Sequence, residues 1–424
     1  MIDLKKEQAH AILVGIDNDD GTIDWSMDEL RELAKTAGIE IVGTLTQKRD
    51  RPHPGTYLGK GKLDELQDLI DDCEITPNIL IFNNEMSPAQ FRQLSDKFNC
   101  NIIDRSILIL DIFAAGAHSA EGKLQVELAQ LQYRMSRLSG LGKMLSRLGG
   151  GIGTRGPGET KLETDRRHIR GRIDSLRAEL KEIRQNRETM RKKRQRQGTF
   201  VAALVGYTNA GKSSILNLLT DTPSEGGVYV ADKLFATLDT TMRRTTLANG
   251  QEILLSDTVG FIEKLPHHLI QAFKATLEEL QHADVLIFVL DASHPQREAH
   301  RDVVLQTLED LEVMGKPIIT VFNKMDLDIE LPLPHDGRLA ATVEMSAKTG
   351  EGKRQLLGTI EEVYNSGKTR MTVIIPYADS KLAAYIHESC EIITTSHEES
   401  GTFFELVAND EAKNRLEQYR VVMV

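Results

Sequence analysis

Short apolar runs and amphipathic periodicities alternate along most of the chain. Ala11 to Ile16, Ile39 to Thr44, Asn78 to Phe82 and Asn101 to Asp104 have strand length, and helical patterns near Met27 to Ala37, Lys62 to Asp72 and Pro88 to Phe98 separate them. That alternation predicts a small parallel α/β sheet over residues 1–115. From Ser119 the rhythm changes: Leu124, Leu128, Leu131, Met135 and Leu138 recur at steps of four and three, and Ile169, Ile173, Leu176, Leu180 and Ile183 recur in the same manner. Two such seams joined by a short connection predict an antiparallel helical hairpin over 116–197. Buried-strand runs resume at Phe200 to Val205, Ile253 to Ser256, Val285 to Asp291, Ile318 to Phe322 and Val343 to Ser346, predicting a larger α/β domain with a parallel sheet over 198–368. Residues 369–424 carry strand signals at Thr372 to Pro376, Ile392 to Thr395, Phe403 to Val407 and Arg420 to Met423, with helical ones at Ser380 to Glu388 and Asp410 to Gln418. They form a small α+β domain whose role is not legible.

Composition alters this picture in one place. The 424 residues are 40% hydrophobic and 27% charged, and the longest apolar runs fall far short of the roughly 20 residues that cross a bilayer, so no membrane span is expected. Asp3, Lys5, Lys6 and Glu7 leave no apolar secretory core, and Cys73, Cys100 and Cys390 have no metal-ligand spacing; a reducing cytoplasm fits both. The net charge of −11 argues against a polyanionic partner until its distribution is considered. Residues 134–196 hold 19 Lys and Arg against 7 Asp and Glu, an excess of 12 that leaves −23 for the rest: a basic arm on an acidic body.

At the turn of that arm, the glycine-rich run Gly149 to Gly158 predicts a tip without regular structure. Arg147, Arg155, Lys161, Arg166, Arg167 and Arg170 flank it, and Arg191, Lys192, Lys193, Arg194 and Arg196 extend the charge. One reading is a solvated charged face. The other, favoured because the charge persists over the whole hairpin, is contact with nucleic-acid phosphates. A second Gly/Lys-rich stretch, Pro52 to Lys62, lacks the spacing of a phosphate cradle and reads as a mobile basic loop.

The candidate chemistry centres on Gly206, Tyr207, Thr208, Asn209, Ala210, Gly211, Lys212 and Ser213, a G-x-x-x-x-G-K-S phosphate-binding loop between a buried strand and a helix. Its glycines let backbone N–H groups wrap phosphate oxygens, Lys212 reaches the terminal phosphates, and the Ser213 hydroxyl suits magnesium. Asn323, Lys324, Met325 and Asp326 fit N-K-x-D, whose carboxylate accepts from the two adjacent donors of guanine that adenine lacks. Ser346, Ala347 and Lys348 fit the loop that backs the base. Asp257, Thr258, Val259 and Gly260 fit D-x-x-G, with Asp257 toward the magnesium shell and the Gly260 N–H toward the γ-phosphate. Phe235, Ala236, Thr237, Leu238 and Asp239 lie where a first switch belongs; Thr237 is the choice to close the metal shell, with Thr240 and Thr241 as rivals. The expected ligands are GTP or GDP and Mg²⁺, and the expected catalytic set is Lys212, Thr237, Gly260 and Asn209.

In this order the motifs resemble the HflX family of translational-type GTPases, as do Thr56-Tyr57-Leu58-Gly59-Lys60-Gly61-Lys62, Gly153-Thr154-Arg155-Gly156-Pro157-Gly158-Glu159-Thr160 and the Phe-Ala-Thr-Leu-Asp switch. The resemblance implies a cytoplasmic GTPase that binds the large ribosomal subunit and its RNA, the N-terminal domain and hairpin reaching toward the peptidyl transferase region, and rescues or splits stalled ribosomes under stress. A monomer is expected. Other readings stay open: a GTPase of ribosome assembly or tRNA modification, and a GTP-gated RNA-binding module.

Two residues bear on turnover. Phe261 follows Gly260 where Ras-type enzymes carry a water-orienting glutamine, so hydrolysis is expected to be slow alone and to be stimulated by the ribosome or a reordered switch. Asn209 resembles the potassium ligand of some GTPases lacking that glutamine; it either recruits K⁺ or braces the loop.

Overall fold

The structure, a computed structural model, describes residues 8–148, 157–196, 199–220, 235, 241–264, 279–327, 329, 341–366 and 368–421. Strands β1 (Ala9–Asp17), β2 (Ile39–Lys48), β3 (Ile79–Phe82) and β4 (Asn101–Asp104) form a parallel sheet in the order β2-β1-β3-β4. Helices α1 (Ile23–Thr36), α2 (Lys60–Asp72) and α3 (Pro88–Lys97) connect them as the alternation predicts. A further helix, α4 (Arg105–Gly116), follows β4. Its apolar residues lie nearly all round, from Ile107 to Phe113, and burial on every side leaves no amphipathic period to read.

The fully buried carboxylate of Asp104 caps α4, accepting from the Ile107 N–H at 3.0 Å. It also accepts from the Tyr133 hydroxyl at 2.7 Å and from Arg137 at 2.6 Å, which fastens the next helix, α5 (Ala120–Leu148), to this sheet. Helix α6 (Pro157–Arg196) packs along α5 through Leu124, Leu128, Leu131 and Met135 against Ile169, Ile173, Leu176 and Leu180, the predicted seams. The sequence expectation of an irregular tip ending at Gly158 is corrected: the helix already begins at Pro157. Proline's fixed φ and missing N–H suit the first helical position. Residues 149–156 lie outside the described residues.

The second sheet has six strands in the order β10-β9-β8-β5-β7-β6, comprising β5 (Val201–Gly206), β6 (Thr241–Thr246), β7 (Glu252–Asp257), β8 (Val285–Asp291), β9 (Ile318–Asn323) and β10 (Ala341–Glu344). All pairings are parallel except β6 with β7, so the expected parallel sheet carries one polar antiparallel edge strand. Helices α7 (Lys212–Leu219) and α9 (Lys353–Ser366) cover one face, where Leu204, Ile287 and Val321 meet Ile215, Leu216, Leu356 and Ile360. The other face, with Val205, Phe288 and Leu290, packs on α8 (Arg297–Asp310). Its apolar cluster continues without a break into Leu13, Leu30, Ile81 and Phe113 of the N-terminal layer.

Strands β11 (Lys368–Ile375), β12 (Glu391–Glu398) and β13 (Gly401–Asn409) pair antiparallel as β11-β13-β12, backed by α10 (Ser380–Ser389) and α11 (Asp410–Leu416). Of the strand expected from Arg420 to Met423, Arg420 bridges Val373 and the Val421 N–H donates to the Thr372 carbonyl at 2.8 Å, while residues 422 and 423 lie outside the described residues. A 3₁₀ turn over Glu417–Tyr419 precedes Arg420. No described helix is long and apolar enough to cross a membrane.

Candidate functional site

Strands β5, β7, β9 and β10 run parallel and end on one side of the six-stranded sheet, and each carboxyl end leads into one predicted motif. The phosphate-binding loop leaves β5 at Gly206, whose α-carbon lies so close to the Val289 carbonyl that a Cβ would collide with it. Gly211 closes the loop at φ +97°, and a Cβ there would strike the Asn323 amide. Both positions therefore require glycine. Between them Asn209 takes φ +60°, a left-handed conformation that asparagine tolerates better than most residues.

Lys212 lies under the loop with its ammonium donating to the carbonyls of Gly206 at 3.1 Å and Tyr207 at 2.7 Å. Burial pushes this amine down to about 8, with the Asp257 carboxylate opposing that shift. The Ser213 hydroxyl donates to Asp257 Oδ2 at 2.6 Å, so the two predicted magnesium ligands that lie within the described residues are already in contact. Asp257 is fully buried at the end of β7, and neighbouring Thr258 is fixed by its hydroxyl donating to the Leu204 carbonyl at 2.7 Å. Val259 is buried beside them.

Gly260 sits against the loop. A Cβ on it would lie 2.8 Å from Thr208 Cα and 2.9 Å from Lys212 Nζ. The following residue, Phe261, forms a parallel bridge with Tyr207: the Thr208 N–H donates to the Phe261 carbonyl at 2.8 Å and the Phe261 N–H to the Gly206 carbonyl at 3.1 Å. The Phe261 ring is buried in the cluster shared with the N-terminal layer, so it packs and offers no polar group to a water.

The N-K-x-D and Ser346-Ala347-Lys348 motifs meet through Asn323. Its amide nitrogen donates to the Ala210 carbonyl at 2.8 Å, and its amide oxygen accepts from the Ala347 N–H at 2.9 Å, tying the phosphate loop to the Ser346-Ala347-Lys348 loop. Lys324 pairs with Asp291 at 2.7 Å, and the Met325 N–H donates to the Met345 carbonyl at 3.2 Å. Asp326 accepts from the Ser346 hydroxyl at 2.6 Å, a bond that holds its carboxyl below the usual carboxylate range, while Lys348 stands 3.8 Å away and exposed.

Of the first switch, Ala236, Thr237, Leu238, Asp239 and Thr240 lie outside the described residues. Phe235 is buried with its ring edge-on to Phe113 of α4, centroids 4.5 Å apart. Sequence reasoning did not single out Glu29, Glu263, His300 or Glu279. The Tyr207 hydroxyl bonds to Glu29 and accepts from the Glu263 N–H at 2.8 Å, and its ring stacks on His300 at 3.7 Å. Arg191, expected among the phosphate-facing charges of the hairpin, instead grips the buried carboxylate of Glu279 through Nε at 3.1 Å and Nη2 at 2.7 Å. Only a Glu279 brought back by the fold explains that, and no local signal marks it.

Residues 24–114 match the family described as GTP-binding GTPase N-terminal, residues 116–194 the GTP-binding GTPase middle region, and residues 201–324 the family described as 50S ribosome-binding GTPase. The GTPase HflX of Lacrimispora saccharolytica is 47% identical over 404 residues, covering 95% of this chain and 94% of its own. That of Caldanaerobacter subterraneus subsp. tengcongensis is 44% identical over 419 residues, with 99% and 95% covered. The Escherichia coli K12 protein is 40% identical over 387 residues, with 90% and 89% covered. Identity of this order along nearly the whole length places the chain in the HflX family of GTPases.

Proposed function

We propose that this GTPase binds the large ribosomal subunit through its basic hairpin and uses GTP to rescue or split stalled ribosomes under stress, in the cytoplasm and as a monomer. The division at 115, 197 and 368 is then one of labour: an N-terminal layer and hairpin that meet ribosomal RNA, a GTPase domain that times the contact, and a C-terminal domain. The observation that carries the reading is the Arg191–Glu279 pair, because it joins the basic helix α6 to the GTPase domain just ahead of β8. The family described as 50S ribosome-binding GTPase supports the choice of partner.

In this reading the loop from Gly206 to Ser213 holds the GTP phosphates, Asp326 reads guanine, and Ser213, Asp257 and Thr237 hold Mg²⁺. The donor set suits a hard cation: a hydroxyl and a buried carboxylate stand together at the end of the phosphate cradle. Bound there, the ion would neutralise phosphate charge. Lys212 offers its ammonium to the terminal phosphates, Gly260 its N–H, and Asn209 a ligand for K⁺. With Phe261 packed away, water placement falls to the ribosome or to a reordered switch.

Cosedimentation with ribosomal subunits in GTP analogue or GDP, across a salt series, tests the proposal. Binding to mature large subunits in the GTP form, with accelerated hydrolysis and a salt slope reduced by deleting 149–158, is expected. Binding confined to immature particles or tRNA would sink it, as would ribosome binding without acceleration.

A further inference from the structure

Tyr207 belongs to the phosphate-binding loop, yet its side chain works away from it. The ring lies flat on the imidazole of His300, 6° from parallel, and His300 meets Trp25 of α1 edge-on. The phenol oxygen does two things at once: it donates to the Glu29 carboxylate on α1 and accepts from the main-chain N–H of Glu263. Glu29 is held in turn by an ion pair with Arg105, which is 1% exposed and donates to Asn83 at 3.0 Å at the carboxyl end of β3. Beside Glu263, Lys264 turns the chain through φ +55° and donates to Ser26 Oγ at 3.1 Å, one turn before Glu29 on α1. Residue 264 is thus fastened to the N-terminal layer directly, and residue 263 through the Tyr207 hydroxyl.

This matters for the reaction because the Phe261 side chain cannot orient anything. Whatever order Phe261 and its neighbours bring to the phosphates comes from the main chain, and that main chain is supported twice at Tyr207. One is the backbone bridge between Tyr207 and Phe261; the other is the Tyr207 hydroxyl at Glu263. Gly260, pressed on Thr208 and Lys212, is the residue these supports position.

We propose that Tyr207 is a positioning residue for GTP hydrolysis: its hydroxyl, set by Glu29 of α1, holds the main chain at Glu263 and so keeps Gly260 against Lys212. The N-terminal layer thereby contributes to turnover without touching the nucleotide. This rests on the reading that Gly260 faces the terminal phosphate.

Tyr207→Phe tests it, since the substitution keeps the stack on His300 and removes both hydrogen bonds. Hydrogen exchange on the nucleotide-free protein should show the Glu263 amide exchanging about tenfold faster, with β5 amides unchanged. GTP turnover should fall about tenfold in kcat with KM and GDP affinity within twofold, and adding Glu29→Gln should cause little further loss. Gly260→Ala separates the proposal from the reading beneath it: wild-type turnover in that variant removes the reading, whereas lost turnover there with a wild-type kcat for Tyr207→Phe overturns the proposal alone. A raised kcat would make the hydroxyl a brake and overturn it equally. So would faster exchange at Glu263 with no change in kcat.

Discussion

Asn323→Ala asks whether one buried amide organises both halves of the nucleotide site. The side chain is 2% exposed and serves two loops, donating to Ala210 and accepting from Ala347. Truncation removes both bonds and leaves a carbonyl and an N–H without partners where water has little access. A buried polar group so stranded costs about 1–3 kcal/mol, so the pair together is worth about 2–4 kcal/mol once some relaxation is allowed. Part of that loss falls on free and bound protein alike, and only the remainder weakens binding. Disordering of the loop in the free state adds to it, because nucleotide must then reassemble its own cradle. GDP affinity is expected to fall roughly 10–100-fold, about 1.4–2.8 kcal/mol. Titration with a fluorescent GDP analogue measures the affinity, and hydrogen exchange at the Ala347 amide reports the broken tether. Affinity within threefold of wild type, with the Ala347 amide shown to be released, would refute the reasoning.

Burial, with His294 adding to it and Asp291 opposing, pushes His300 down to about 3. The folded state therefore binds fewer protons than the unfolded one between that value and about 6.5. The contribution is complete above about pH 6.5 and declines by about 1.4 kcal/mol per unit as pH falls. Denaturant unfolding at pH 7 and 5 should show a smaller pH difference in His300→Phe than in wild type; an equal difference would contradict the burial argument. Asp326→Asn should cost GTP and GDP affinity by more than 100-fold, because the amide offers a donor where guanine presents donors. Xanthine nucleotide, with a carbonyl oxygen at position 2, should gain, and unchanged guanine preference in competition binding would remove Asp326 from its role. Turnover should be faster in K⁺ than in Na⁺ at equal ionic strength and lose that difference in Asn209→Ala; equal rates in both salts would leave Asn209 a loop brace.

What the sequence made legible divides along the range of the interactions. The phosphate loop, N-K-x-D and D-x-x-G could be read because each is local, a strand end followed by a turn whose residue types its backbone demands, as the crowding at Gly206 and Gly211 illustrates. Helix α4 escaped because it is apolar all round, and β6, Thr-Met-Arg-Arg-Thr-Thr, because an exposed polar edge strand carries no hydrophobic alternation. Pro157 and Gly158 look like loop in the sequence because breakers inside a glycine run mask the one helical position that proline favours. The partners of Tyr207 and Arg191 were invisible for another reason. Glu29 lies 178 residues from Tyr207 and Glu279 lies 88 from Arg191, and no local pattern encodes such a meeting.

The length of α6 gives the Arg191–Glu279 pair a mechanical meaning. From Pro157 to Arg191 the helix runs about 50 Å at 1.5 Å per residue. A rotation of only about 5° at the gripped end would carry the far end some 4 Å, more than the width of a hydrogen bond. Read in the opposite direction, a partner that fixes the far end to within an ångström constrains the angle at Glu279 to about a degree. The helix is a pointer gripped at Glu279, just ahead of the amino end of β8, so a small rotation there is enlarged at a distance.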